Sequence, residues 1–285
     1  MMDSLIPALA NGVLYSLFAI GFALVYNTTR ILHVAAAAVY VFAAYLFWWM
    51  TLLGLPQLPA GLLAVVLTMG VSLSTDFLVY RPLVRRGASN SVLMVASMGL
   101  MLVVVSLLSL GGYSYKSLTD TNPVTGREWQ IALGGITILA FLLFIGLSGA
   151  GLRLRAFSDN PVQYETLGYS TNRSRIGVFA GSGFFIAMAS CLNAYAIGGI
   201  DVSKGVSYVG MNALVNALVA MILGGTGRYG SCVVGGFCLA LIQALLTHVL
   251  PSDQLRWQDA FTFLLLILLL LIRPQGFVGR KQRDF

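Results

Sequence analysis

Nine apolar runs, each close to the length that carries a helix across a bilayer, follow one another along this chain with short polar breaks. They cover residues 5–26, 33–53, 58–80, 91–111, 131–151, 174–198, 207–224, 231–250 and 257–273. A crossing takes about 20 apolar residues, because the hydrocarbon core is ~30 Å thick and a helix rises ~1.5 Å per residue. Only 9% of the 285 residues are charged, against about a quarter in soluble domains, so the chain cannot cover a water-facing surface. The pattern predicts an all-α polytopic transmembrane helix bundle, with residues 1–285 forming a single membrane domain. Nine crossings satisfy the pattern, and eight do if one early segment is re-entrant.

The net charge of +7 belongs to the ends of the apolar runs. Arg30, the Arg81/Arg85/Arg86 group, Arg153, Arg155, Arg173 and Arg175, and Arg273, Arg280, Lys281 and Arg283 all flank spans. Cytoplasmic loops collect Lys and Arg, so loops 81–90 and 152–173 belong inside with the C-terminus, and loop 112–130 and the N-terminus outside. This placement accounts for the charge without nucleic acid and leaves membrane lipid as the surrounding partner. Cys191, Cys232 and Cys238 lack metal-ligand spacing and read as small buried hydrophobes. The first run has no basic n-region before it, so it is expected to be a retained span.

The longest polar interruption is Gly151–Arg175, GLRLRAFSDNPVQYETLGYSTNRSR. Within it, Asp159 to Gly168 predicts a short helix on the cytoplasmic face. Asp159 or Asn160 would cap it, Pro161 would fill its first turn, and Gly168 would end it. Loop 152–175 is therefore a candidate docking element, with Asp159, Asn160, Tyr164, Glu165 and Gly168 as its candidate residues; an ordinary solvated connector is the plainer alternative.

Glycines within the spans let helices approach closely. Gly224–Ser231, GGTGRYGS, contains a literal G-x-G-x-x-G at Gly225, Gly227 and Gly230. The dinucleotide fingerprint needs a preceding strand, whereas both flanks here are apolar spans. The expected structure is a sharp turn breaking a helix, of the kind that lines transport paths, with Gly224, Gly225, Gly227 and Gly230 as candidate gating positions. Polar side chains at lipid depth face the bundle interior. Asn212 and Asn216, spaced i, i+4, share a helix face, as do Asn11 and Tyr15 with Ser16 beside them. These residues, with Tyr40 and Ser97, are candidates for lining a polar route; bonding between helices without any solute is the competing reading.

Of the ten carboxylates, only Asp76 lies within an apolar run, near enough to Arg81 and Arg85 to be neutralised by them. No carboxylates pair at mid-membrane, where an ion-coupled carrier keeps its titratable groups. His33 and His248 are isolated near span ends, and HExxH is absent. No catalytic residue, metal site or cofactor is predicted. The chain is expected to transport or anchor something, with energy supplied by another subunit.

Several stretches resemble the permease subunits of branched-chain amino acid ABC transporters, of the LivH type. They are Asn11-Gly12 with Tyr15-Ser16-Leu17 and Gly21; Val79-Tyr80-Arg81-Pro82-Leu83-Val84-Arg85-Arg86; Leu167-Gly168 with Thr171-Asn172-Arg173; Leu223 to Gly230; and Arg273-Pro274-Gln275-Gly276-Phe277. They run in family order from about residue 8 to 280. The resemblance implies an importer subunit of a bacterial inner membrane. A periplasmic binding protein would deliver the substrate, a second permease would complete the pore, and two cytosolic ATPases would grip loop 152–175. The implied cargo is a branched-chain or other aliphatic amino acid, with amides, urea or aromatic acids known among related systems. A passive channel is the alternative of another class.

One departure stands out. Where the family commonly opens its second span with an Asn-Phe-Ala-His-Gly-Glu-like run, this chain has His33-Val34-Ala35-Ala36-Ala37-Ala38. Either the alanine face lines a plainer, wider lumen, or it packs against a neighbouring helix.

Overall fold

The computed structural model describes residues 2–111, 116–118, 123–225, 227–249 and 257–272. The tail motif Arg273–Phe277 lies outside them. Among the described residues, seven helical segments are long and apolar enough to cross a membrane: Leu5–Thr29, Gln57–Arg85, Asn90–Ser109, Gly126–Leu147, Thr171–Ile197, Val206–Gly224 and Tyr229–Thr247. Ala36–Leu52 is a shorter apolar helix of 17 residues, and Gln258–Ile272 adds 15 apolar residues. The chain is a multi-pass helical membrane protein.

In order, the helices are α1 (Met2–Thr29), α2 (Ala36–Leu52), α3 (Gln57–Thr75), a π-helical turn (Asp76–Tyr80), α4 (Arg81–Arg85), α5 (Asn90–Ser109), α6 (Pro123–Leu147), α7 (Gly149–Asp159), α8 (Pro161–Thr166), α9 (Thr171–Ile197), α10 (Val206–Gly224), α11 (Tyr229–Val249) and α12 (Gln258–Ile272). Strands β1 (Lys116–Ser117) and β2 (Gly199–Ile200) pair antiparallel, the one ladder among the described residues. It joins the segment after α5 to the segment after α9. At the other end of α9, about 40 Å away for 27 residues, Arg175 meets Asp76. The bundle thus has a ladder end and a charged end.

α1 is the axis of the bundle, packing on α6, α9, α10 and α11. Its apolar window is 83% buried, against 22% in α5 and α6, which form the outer ring. Close backbone approach sets the axis. A Cβ on Gly236 of α11 would collide with Ser16 of α1, and one on Gly210 of α10 would sit 2.6 Å from the Ala37 carbonyl oxygen. Between helices in lipid, such approach supplies the van der Waals contact and hydrogen bonds that hold them.

Of the boundaries that differ from the sequence expectation, two shape the bundle. The span expected over 131–151 stops at Leu147, and Ser148 caps a new helix by accepting the Gly151 N–H at 2.9 Å. Periodicity could not see this, since the apolar run continues through it, whereas a serine cap ends the helix locally. The glycine turn expected to break a helix instead separates α10 and α11, of 19 and 21 residues, each long enough to cross. The two helices form an antiparallel hairpin, with Gly224 against the Ser231 carbonyl and Gly235 against that of Ala220.

Candidate functional site

At mid-depth four helices meet through one carboxamide. Gln243 of α11 accepts a hydrogen bond from the Tyr15 hydroxyl of α1 at 2.6 Å. Its amide nitrogen donates to Asn216 Oδ1 of α10 at 3.0 Å and to Thr262 Oγ1 of α12 at 3.1 Å. Asn216 in turn donates to Asn212 Oδ1 at 2.7 Å, and Asn212 to the Tyr208 hydroxyl at 3.4 Å. Tyr15 lies ten residues into its span and Asn216 ten into α10, about 15 Å along each helix. Both amide hydrogens of Gln243 are engaged, which fixes the orientation of the group. From Gln243 to Tyr208 every donor points towards the ladder end, so the bonds polarise one another along the row. Gln243 and Asn216 are buried, whereas Tyr208 is exposed.

Three candidates named from sequence, Tyr15, Asn212 and Asn216, are brought together here. Asn11 sits one turn from Tyr15 towards the ladder end and is exposed. Tyr40, on α2, is buried and stacks on Phe18 with ring centroids 5.3 Å apart; Asn193 of α9 is its hydrogen-bond partner. Ser16 is turned away from this row: it donates to the carbonyls of Gly12 at 2.6 Å and Val233 at 3.2 Å, tying α1 to α11. Ser97 belongs to a different cluster near the charged end. Sequence reasoning missed Gln243, the one glutamine in its apolar run. The depth argument applied to the asparagines would have found it.

The second cluster is charged. Asp76 is fully buried, and its two oxygens receive Arg81 Nε at 2.6 Å and Arg175 Nε at 2.7 Å. Sequence proximity named Arg81 and Arg85 as its partners; the second is Arg175, 99 residues away. Beside this triad, His33 Nδ1 bonds the Tyr80 hydroxyl at 2.7 Å, Tyr80 donates to Ser97 Oγ at 2.8 Å, and Ser97 accepts the Ala35 N–H at 2.8 Å. With its own hydrogen committed to Ser97, Tyr80 accepts from His33, so Nδ1 carries the imidazole proton. The cluster thereby fixes the start of α2 to the π turn and α5. The alanine run follows immediately. Ala36, Ala37 and Ala38 are buried, with Ala37 against Gly210, so the run packs on α10.

Loop 152–175 folds as most of α7, all of α8 and the first turn of α9. Asn160 caps α8 by accepting the Gln163 N–H at 3.2 Å, and Gly168 ends it at φ 80°, as the sequence predicted. Tyr164, named as a docking residue, is turned inward: it is buried, stacks on Tyr169, meets the Phe157 ring at a tilt, and bonds Ser174 Oγ at 2.9 Å. Its ring anchors α8 to α7 and α9. Of the named candidates, Asp159, Glu165 and Gly168 are exposed, and so is Leu167, at 71%. At the ladder end, bonds from the Ser203 side chain and backbone hold the Asp201 carboxyl below its ordinary range. Among the described residues no three His, Cys, Asp or Glu groups gather as a metal site requires.

A family model described as branched-chain amino acid transport system / permease component matches residues 4–270. The high-affinity branched-chain amino acid transport system permease protein BraD of Pseudomonas aeruginosa is 28% identical, with 99% of this chain and 96% of that protein aligned. LivH of Escherichia coli, a permease protein of the same description, is 27% identical over 95% of this chain and 93% of its own length. The probable branched-chain amino acid transport permease protein LivH of Methanocaldococcus jannaschii is 27% identical over 95% and 91%.

Proposed function

The chain belongs to the permease-component family of branched-chain amino acid transport systems, and on that premise we propose that it forms part of the pore of an ATP-driven importer for a branched-chain or other aliphatic amino acid. The observation that carries this reading is the uncharged row Tyr15–Gln243–Asn216–Asn212–Tyr208 at mid-depth. A zwitterion needs donors for its carboxylate and acceptors for its ammonium, and carboxamides and hydroxyls supply both. A fixed charge would favour one end of the solute and cost desolvation at the other. Asn11 and Tyr40 border the row, and the apolar helix faces around it suit an aliphatic side chain.

A periplasmic binding protein delivers the solute at the ladder end, where Tyr208 opens the row. A second permease subunit completes the pore in the bacterial inner membrane, and the C-terminus is cytoplasmic. Among the residues whose side chains are described, Asp76 is the buried carboxylate, and both its oxygens are taken. Among those residues no free carboxylate stands at mid-depth to couple transport to an ion gradient, and two cytosolic ATPases supply the energy.

The ATPases grip α8 through Glu165, Leu167 and the exposed end at Gly168, with Asp159 and Asn160 shaping its entry. Tyr164 passes the movement to α9, whose first turns carry Arg175. Through Asp76, Tyr80 and His33 the displacement reaches α2, and through Ala37 against Gly210 it reaches the hairpin that carries Asn216. Gly224, Gly225, Gly227 and Gly230 shape the turn that keeps α10 and α11 moving together, a rigid-body route to alternating access. The test is leucine uptake by the complete system in proteoliposomes. It should require ATP and the binding protein, and Asn216→Leu should reduce uptake per assembled complex. Leucine flux through this chain without ATPases would establish a passive facilitator instead.

A further inference from the structure

Arg81 and Arg175 of the Asp76 triad line a cleft of about 440 Å³ that shares no lining residue with the mid-depth row. Its walls come from the end of α1 (Thr28, Thr29), α4 and the loop after it (Arg81, Arg85, Ala88), the start of α5 (Asn90), and the start of α9 (Asn172, Arg175), with Glu165 on α8. Three arginines face one glutamate in the wall and one aspartate behind it, so positive charge is in excess. The glutamate is partly engaged, since Thr171 donates to its Oε1 at 2.7 Å.

The two inner arginines are held but not saturated. Asp76 takes the Nε of each. Aromatic faces lie under both, with Arg81 Cζ 3.8 Å from the Phe77 ring centroid and Arg175 Cζ 5.7 Å from that of Phe179. Yet Nη2 of Arg81 and Nη2 of Arg175 are buried and have no acceptor among the described residues. A buried donor without a partner is costly, most of all on a charged group, and a guanidinium offers five N–H groups in a planar fork suited to oxyanions. Two such forks already oriented by one carboxylate, in a cleft with surplus positive charge, lack an anion.

We propose that this cleft binds a phosphate-type oxyanion, and that its source is the headgroup of an anionic phospholipid in the cytoplasmic leaflet. The geometry around it fits a lipid. Val84 and Leu93 line the cleft together with the arginines, Val84 is exposed to the surroundings of the bundle, and basic recesses between spans on the cytoplasmic side are where anionic headgroups gather. A headgroup here would tie α4 and α5 to the first turn of α9, and so to the helix that follows α8. The lipid would set how far the cytoplasmic loop can move. The proposal is independent of the cargo.

The experiment uses the delipidated full-length chain in neutral detergent, titrated with short-chain phosphatidylglycerol, short-chain phosphatidylcholine or inorganic phosphate, with binding read by native mass spectrometry. Arg85→Gln removes a cleft arginine outside the Asp76 pair, and Arg86→Gln removes the same charge one residue away, outside the cleft lining. Phosphatidylglycerol should bind in preference to phosphatidylcholine. Arg85→Gln should weaken it about tenfold, the loss of one charge-assisted hydrogen bond, and Arg86→Gln should leave it within about twofold, as the loss of an exposed charge worth a few tenths of a kcal/mol does. Inorganic phosphate competing at the same site, with the same dependence on Arg85, supports the oxyanion chemistry. Phosphate binding with that dependence but no binding of phosphatidylglycerol overturns the lipid source. Equal losses in the two variants, or no binding of either probe, overturn the site. So does loss of lipid binding once the ATPases are assembled, which would make the cleft a subunit interface.

Discussion

The two buried polar clusters of this protein differ in the kind of group they use. Near the charged end, one carboxylate is clamped by two guanidinium groups from α4 and α9. At mid-depth, carboxamides and hydroxyls from α1, α10, α11 and α12 share hydrogens without any net charge. Separating an ion pair in a low-dielectric interior exposes unpaired charge, so the first cluster is costly to open. Hydrogen bonds between neutral groups in membrane proteins are worth only about 0.6 kcal/mol on average. The second cluster can therefore trade partners with a passing polar solute. The charged triad suits a joint that moves as a unit, and the neutral row suits a path that opens.

Variants in the two clusters should separate these roles. Asp76→Leu leaves two partly buried cations without their anion and should cost about 3 kcal/mol, the low end for a broken buried pair because the arginines keep some solvent, read as a large fall in melting temperature and in the yield of assembled protein. A near-normal melting temperature would mean that the triad is not the rigid joint. Gln243→Leu removes three hydrogen bonds of modest strength, so its stability loss should be about 1–2 kcal/mol. Uptake per assembled complex should fall about tenfold or more, a barrier increase of roughly 1.4 kcal/mol. If stability and uptake fall in proportion, the row is glue between helices and the contrast with the triad collapses.

Tyr80→Phe lies between these extremes in role and below them in size. It deletes the hydroxyl shared by His33 and Ser97 and should cost about 1 kcal/mol. It should slow maximal uptake while leaving the substrate concentration for half-maximal uptake unchanged, because it acts on the joint and not on the path. Ser16→Ala should have the smallest effect. It removes bonds to two carbonyls that already serve their helices, about 0.6 kcal/mol, with uptake unchanged. An altered substrate preference in Ser16→Ala would return that residue to the proposed route.

The succession of apolar spans, the basic residues at their ends and the short helix between Asp159 and Gly168 were legible in the sequence because each follows from local chemistry. Bilayer thickness sets run length, the side of the membrane sets charge, and caps and glycine set helix ends. The pairing of Asn212 with Asn216 was legible for the same reason, since i, i+4 positions share a face. The end of α6 at Leu147 was not, because one serine cap inside a continuing apolar run leaves hydropathy unchanged.

What only the tertiary structure decided is which distant groups meet. The sequence placed Asp76 beside basic residues, but helix packing selected Arg175 over Arg85 as its second partner. It named Tyr15 and Asn216 as polar faces of separate spans, but the Gln243 bridge between them depends on α11 lying against both α1 and α10. It left the alanine run open between lumen and packing, and the approach of Gly210 to the Ala37 carbonyl gives it to packing. Tyr164 could be read from sequence as a surface side chain, whereas α7 and α9 enclose it. The physical reason is common to all four. A hydrophobic pattern reports how deep a residue lies and on which face, while the rotation of one helix against another is fixed by close contacts between small residues far apart in the chain.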